Sequence, residues 1–156
     1  MMDFSMFEDI SFPKGEIITL GNTDEEKALS EYFSNRKISD ISLNSLKEEY
    51  KYPHNACLCF MAPRAYAFFL PAFMKLAIND TKGDTDIPWV VVSCNLLAIA
   101  EGKMKKNLEA ILISYSKTQL QAITVFLKIM SNGYYKNYEP EDDAQTSLDI
   151  FWGRFI

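Results

Sequence analysis

The sequence is short of the residues from which most reaction centres are built. Histidine occurs once, as His54, and cysteine three times, as Cys57, Cys59 and Cys94. A single imidazole excludes multi-histidine metal sites, and two cysteines spaced two apart point to different sides of a helix. No metal and no cofactor is therefore expected. Three thiols without a pairing pattern read as buried structural cysteines in a reduced, cytoplasmic setting. Glycine occurs six times, and no Gly-rich phosphate loop, Walker pattern or HExxH helix is present, so a nucleotide cradle is not expected.

Long apolar runs are missing as well. The charge-free stretch between Arg64 and Lys75 and the stretch from Ile87 to Ala100 both fall short of the roughly twenty residues that a membrane span requires. Both read as core segments, and the opening Met1-Met2-Asp3-Phe4 lacks the positive start and apolar stretch of a leader. Positive charge is scarce too. Sixteen Lys and Arg stand against twenty-one Asp and Glu, for a net charge of −5 and a pI near 4.9. A nucleic-acid binder normally carries a basic footprint, and the only basic cluster here is Lys103, Lys105 and Lys106. The expected partner is another protein, with no nucleic acid and no membrane.

What is present suits a single helical domain over residues 1–156. Hydrophobic residues make up 48% and aromatics 13% of the chain, enough large rings for a substantial core. No repeat, linker or low-complexity segment divides it. The opening from Asp3 to Ile10 suggests a short helix anchored by Phe4, Phe7 and Ile10, and Glu16 to Leu20 is a minor strand candidate.

Helix signals then dominate. Thr23 with Glu26 forms a capping box before Ala28, Leu29, Tyr32 and Phe33. Ser42 caps a short helix with Leu43, Leu46 and Tyr50 facing inward, and Pro53 ends it. Pro63 suits a first helical position, whereas Pro71 removes a hydrogen bond from the interior of the same helix. Arg64, Pro71 and Lys75 fall on one helix face. If that face meets solvent, water satisfies the carbonyl of Ala67 and the helix bends there; a break at Leu70 is the alternative.

The run from Ile87 to Ala100 carries conflicting signals, since Val90-Val91-Val92 favours a strand. Its length and Pro88 near the start favour a buried helix, capped by Asp86 and ended by Gly102. Ser116 with Gln119 is a second capping box. Behind it Lys117, Gln121, Thr124 and Lys128 lie on one side and Leu120, Ile123, Phe126, Leu127 and Met130 on the other, with Gly133 as the stop. Pro140 opens a last helix with Ala144, Leu148, Phe151 and Phe155 as its buried stripe. The fold class is all-α, an irregular bundle of six or seven helices.

The stretch Phe60-Met61-Ala62-Pro63-Arg64-Ala65-Tyr66-Ala67-Phe68-Phe69-Leu70-Pro71-Ala72-Phe73 resembles an uncharacterised bacterial family of small proteins, a domain of unknown function. Its members share a Phe-Leu-Thr/Ser-Pro-Glu-Ala-Phe-x-Tyr-Tyr-Leu-Pro-Ala-Tyr signature. Phe33 to Ile41 and Ser116 to Leu127 extend the similarity over about two thirds of the chain. This sequence departs from the signature at Ala62, where Ser or Thr would cap the helix, and at Arg64, where Glu is usual. The resemblance implies a helical domain and no particular reaction.

Two classes of function remain. No catalytic residue is assigned: His54 lies three residues from Cys57 and five from Cys59, but a thiolate needs its base within hydrogen-bond reach and a third group to orient it. Glu48 and Glu49 read as a solvated pair. A non-catalytic protein-binding module is the expectation, possible as an immunity-type protein that neutralises a basic toxin partner, because acidic surfaces speed encounter with basic ones. Its candidate contacts are Arg64, Phe68 and Lys75 on one helix, and Tyr134, Tyr135 and Tyr138 beside the acidic Glu141, Asp142 and Asp143. The alternative is an enzyme or small-ligand protein that uses a pocket near the Pro71 kink.

Overall fold

Helix starts fall where capping residues put them. The computed structural model describes residues 2–7, 11–132 and 141–156. Within them, α1 (Asp24–Phe33) begins at Thr23, whose hydroxyl accepts the Glu26 N–H. The Glu26 carboxylate reaches past the cap and accepts from the Gly21 N–H at 2.5 Å and the Thr23 hydroxyl at 3.0 Å. Ser42 caps α2 (Leu43–Glu49) by accepting the Ser45 N–H, and the one-turn α3 (Cys57–Phe60) follows. Helix α4 (Pro63–Asn79) opens with Pro63 in its first turn, where the missing N–H costs nothing.

Helix α5 (Ile87–Ala100) is the buried helix that its length suggested, with a difference in its middle. Residues Val90–Leu97 form a π-helix, a wider winding in which each N–H reaches back five residues. Asp86 occupies the N-cap position without a capping bond from its side chain, which instead accepts from Asn55 Nδ2 at 3.4 Å. The other end closes as expected. Gly102, at φ 78°, gives its N–H to the Ile99 carbonyl while Lys103 gives its own to Ala98. This is the Schellman pair, which needs a residue that accepts a left-handed backbone.

Helix α6 (Lys105–Ser114) runs into α7 (Lys117–Met130) through Tyr115. The Ser116–Gln119 box forms in full: the Gln119 N–H donates to Ser116 Oγ at 3.2 Å, and the Ser116 N–H to Gln119 Oε1 at 2.9 Å. Helix α8 (Glu141–Ile150) and a closing 3₁₀ turn (Trp152–Phe155) complete the described chain. Pro140 and Gly133 lie outside the described residues.

The result is the all-α bundle expected from the sequence, with no strand among the described residues. The 16–20 segment makes a single bridge, Thr19 to Met61, flanked by Ala62 N–H to Ile18 O at 2.8 Å and Leu20 N–H to Phe60 O at 3.2 Å. Side chains do not alternate there, since Ile18 and Thr19 are both buried and Ile17 and Leu20 both exposed, and among the described residues no second strand lies alongside to extend the ladder. Of the expected N-terminal helix, Ser5–Phe7 form a 3₁₀ turn with Phe4 and Phe7 buried, and residues 8–10 fall outside the described residues.

At the centre, α4 packs against α5, α6 and α7, while α8 and the closing turn cover α5 and α7. Among the described residues no single helix is long and apolar enough to cross a membrane. Two side chains depart from the sequence reading. Thr124, expected on the polar side of α7, is buried and donates its hydroxyl to the Trp152 carbonyl at 2.6 Å. Trp152, outside the expected stripe of Ala144, Leu148, Phe151 and Phe155, is fully buried and donates its indole N–H to the Leu96 carbonyl at 3.0 Å.

Candidate functional site

The most distinctive surface feature grows out of the first two turns of α4. Ala62 occupies the N-cap and has no side chain with which to cap it, and the first turn carries no acidic residue. A helix start of this kind leaves orphan N–H groups and an uncompensated positive end. Arg64 adds a cation there, with a side chain 70% exposed. The negative charge comes from outside the helix: Glu16 pairs its carboxylate with Arg64 Nη1 at 2.7 Å.

One turn on, Ala67 and Phe68 meet the corner between α6 and α7. The Pro71 ring removes the N–H that would bond the Ala67 carbonyl. We find that the Tyr115 hydroxyl takes its place, donating to Ala67 O at 2.5 Å. This corrects the expectation that water fills the gap on a solvent-facing side. Pro71 is buried and α4 runs unbroken from Pro63 to Asn79, because a phenol from a neighbouring element supplies the missing donor. Burial pushes the Tyr115 hydroxyl well above the usual phenol range, with the nearby Tyr66 adding to the effect, so it remains a donor.

Around this bond lies a cleft of about 210 Å³. Three stretches wall it: Phe7, Phe12 and Pro13 from the N-terminal segment, Arg64, Ala67 and Phe68 from α4, and Ser114, Tyr115 and Gln119 from the α6–α7 corner. Phe12 meets Phe68 edge-on, with centroids 5.3 Å apart. It also contacts Phe69 at 5.6 Å, which in turn stacks on the fully buried Phe33 at 4.8 Å. The wall of the cleft is thus continuous with the core. Gln119 Nε2 donates to the Met6 carbonyl at 3.0 Å and pins the N-terminal segment beside the opening. Among the described residues, Arg64 is the one charged residue lining it.

Deeper in, Tyr66 donates its hydroxyl to Asn95 Oδ1 at 2.9 Å, and Asn95 Nδ2 donates to the Val90 carbonyl at 2.8 Å. These bonds tie α4 to the π segment of α5, and both residues are buried.

A family model, that of a family of unknown function, DUF6714, matches residues 19–154. The chain belongs to this family. No curated protein and no solved structure matches it. Set on the DUF6714 match, the cleft is composite. Its α4 and α6–α7 walls lie inside the matched region, whereas Phe7, Phe12 and Pro13 precede it, as does Glu16, the partner of Arg64.

Of the residues proposed as partner contacts, Arg64 and Phe68 come together in this cleft. Lys75, nearly three turns further along α4, is half-buried and does not line it. Tyr134, Tyr135 and Tyr138 lie outside the described residues. Glu141 begins α8, Asp142 is exposed in its first turn, and Asp143 is half-buried close enough to Cys94 to help raise that thiol's pKa. Sequence reasoning missed Tyr115, Phe7 and Phe12. Tyr115 directly precedes the Ser116 cap, where an apolar residue is accounted for as a local staple, and nothing local connects it to Ala67.

The thiol and imidazole groups assemble no nucleophile–base pair among the described residues. Cys57 is fully buried, and burial pushes its thiol up to about 12. Cys59 and Cys94 are exposed rather than buried as expected, because their one-sided positions on α3 and α5 face outward. Cys59 donates to the Ala56 carbonyl, not to His54. His54 lies in an open polar cleft with Lys47, Asp84 and Asp86, and its pKa is held below the usual imidazole value by burial and then by the Lys47 charge. No group of three or more His, Cys, Asp or Glu among the described residues is placed to hold a metal ion.

Proposed function

We propose that this chain is a non-catalytic protein-binding module that seats a side chain of its partner in the cleft walled by Phe7, Phe12 and Phe68. The observation that carries the proposal is the size and lining of that cleft. At about 210 Å³ it falls below the roughly 300–1,000 Å³ of pockets that enclose a whole small ligand. It is large enough for one anchoring side chain, and aromatic walls with a charged rim are the surroundings in which such anchors contribute most to binding. The same size argument counts against a small-ligand protein working near the Pro71 kink. An immunity-type role is the narrower form of this reading, supported by the net charge of −5 and the exposed Asp142 in the first turn of α8, which suit a basic partner.

Quantitative capture with the tagged full-length chain tests the proposal, comparing wild type with Phe68→Ala and with Asp142→Lys/Asp143→Lys. A stoichiometric partner released by Phe68→Ala supports docking at the cleft, and sensitivity to the lysine pair supports the acidic contact. A stoichiometric partner held equally by all three proteins would contradict the assignment of the surface.

A further inference from the structure

The charge of the cleft is opposite to that of the molecule as a whole, and this selects the occupant. The chain carries −5 overall, yet among the described residues the only charged one lining the cleft is Arg64. Its guanidinium is largely exposed and contacts Glu16 through Nη1. A guanidinium presents five donors in a planar fork and can serve a second carboxylate beside the first. The cleft lies against the uncapped start of α4, whose own first turn carries no acidic residue, an end that favours an anion and where Glu16, from outside the helix, is the present partner of Arg64. Below that rim, Phe7, Phe12 and Phe68 offer ring faces and edges to an apolar group.

Resting on the protein-binding reading above, we propose that the cleft takes the C-terminal residue of the partner chain, with an aromatic side chain against the Phe7, Phe12 and Phe68 wall and the terminal carboxylate on Arg64. A terminal aromatic residue carries ring and carboxylate on one Cα, which matches a cleft of about 210 Å³ that has a single cation on its rim. Glu16 then acts as an internal competitor: its carboxylate occupies part of the fork that the incoming carboxylate uses.

The test is an ¹⁵N NMR titration of the full-length chain with four capped peptides. These are Ac-Gly-Ser-Gly-Phe with a free carboxylate, the same peptide as its C-terminal amide, Ac-Gly-Ser-Gly-Gly with a free carboxylate, and the internal version Ac-Gly-Phe-Asp-Gly-amide. The first should shift the amides of Ala67, Phe68, Tyr115 and Gln119, bind about two- to fivefold more tightly than its amide, the range expected for one exposed charge pair, and bind more tightly than the other two. Arg64→Gln should abolish the difference between acid and amide. Glu16→Gln should tighten the acid peptide and leave the amide unchanged, an effect that a merely structural Arg64–Glu16 pair would not produce. Equal binding of acid and amide, or of the terminal and internal rings, overturns the proposal. If no peptide shifts the cleft while Phe68→Ala still releases a captured partner, the terminal-carboxylate inference falls and the protein-binding reading stands. If Phe68→Ala also leaves capture unchanged, both fall.

Discussion

Helices α4 and α5 are both irregular where they are most deeply buried, and they reach that condition from opposite directions. In α4 the cause is written in the chain: Pro71 removes a donor, and the Ala67 carbonyl is left over. In α5 no proline or glycine interrupts Val90–Leu97, yet the helix widens to a π winding. The remedy is the same in both. Tyr115, from 48 residues away, donates to Ala67 O. Asn95 folds its amide back onto Val90 O while accepting from Tyr66, and Trp152 reaches Leu96 O from the far end of the chain. Buried carbonyls are paired; Tyr115 and Trp152 reach theirs from other elements, whereas Asn95 turns back within α5. The difference is one of position. The α5 repairs lie inside the core, whereas the α4 repair forms part of the cleft wall, where it fixes the placement of Ala67 and Phe68.

Substitutions in α5's repair set should cost the most. Trp152→Ala removes a fully buried ring together with its bond to Leu96, and should destabilise the fold by about 3–5 kcal/mol in denaturant unfolding. A loss below 1 kcal/mol would mean that the closing turn is not part of the core. Asn95→Ala leaves both the Tyr66 hydroxyl and the Val90 carbonyl without that partner, and at ~1–3 kcal/mol per unpaired buried group should cost about 2–4 kcal/mol. An unchanged midpoint would show that the π segment does not depend on Asn95.

The α4 repair should cost less, since it involves one neutral bond. Tyr115→Phe keeps the ring and is expected to lose about 1–3 kcal/mol. Smallest is a pH effect at His54, in the cleft beside the start of α5. His54 is held below its ordinary pKa in the folded chain, so near pH 6 the unfolded chain binds more protons than the folded one. Stability should therefore be constant with respect to this group above about pH 7 and decline as pH falls through the imidazole range. His54→Gln should flatten that decline in unfolding curves collected at several pH values. A slope of opposite sign would contradict the assigned shift.

Much of the helical framework was legible because it depends on neighbours in sequence. The Ser116–Gln119 box, the Ser42 cap, Pro63 at the start of α4 and Gly102 after α5 all act within a few residues, and the structure places each in its expected role. What was not legible depends on partners far along the chain. The π winding of Val90–Leu97 has no local marker except Asn95, a lone amide in a charge-free run, whose partner Tyr66 lies 29 residues away. Thr124 looks like a surface residue on α7 until the Trp152 carbonyl arrives. Half of the candidate site was visible in Arg64 and Phe68, on the periodicity of one helix. The other half was not, because Phe7 and Phe12 belong to a segment without regular periodicity and Tyr115 meets its partner Ala67 from 48 residues away.

The account turns on Tyr115 standing in for the donor that Pro71 removes, and a double-mutant cycle measures this directly. Pro71→Ala restores an N–H to the Ala67 carbonyl, so the phenol is no longer its only source of that bond. Equilibrium unfolding of wild type, Tyr115→Phe, Pro71→Ala and the double variant should show that the Tyr115→Phe loss of about 1–3 kcal/mol shrinks by at least half in the Pro71→Ala background, a coupling within the ~0.5–3 kcal/mol seen for residues that share a partner. Additive losses would mean that Tyr115 contributes through packing alone, and that the Ala67 carbonyl is satisfied in some other way.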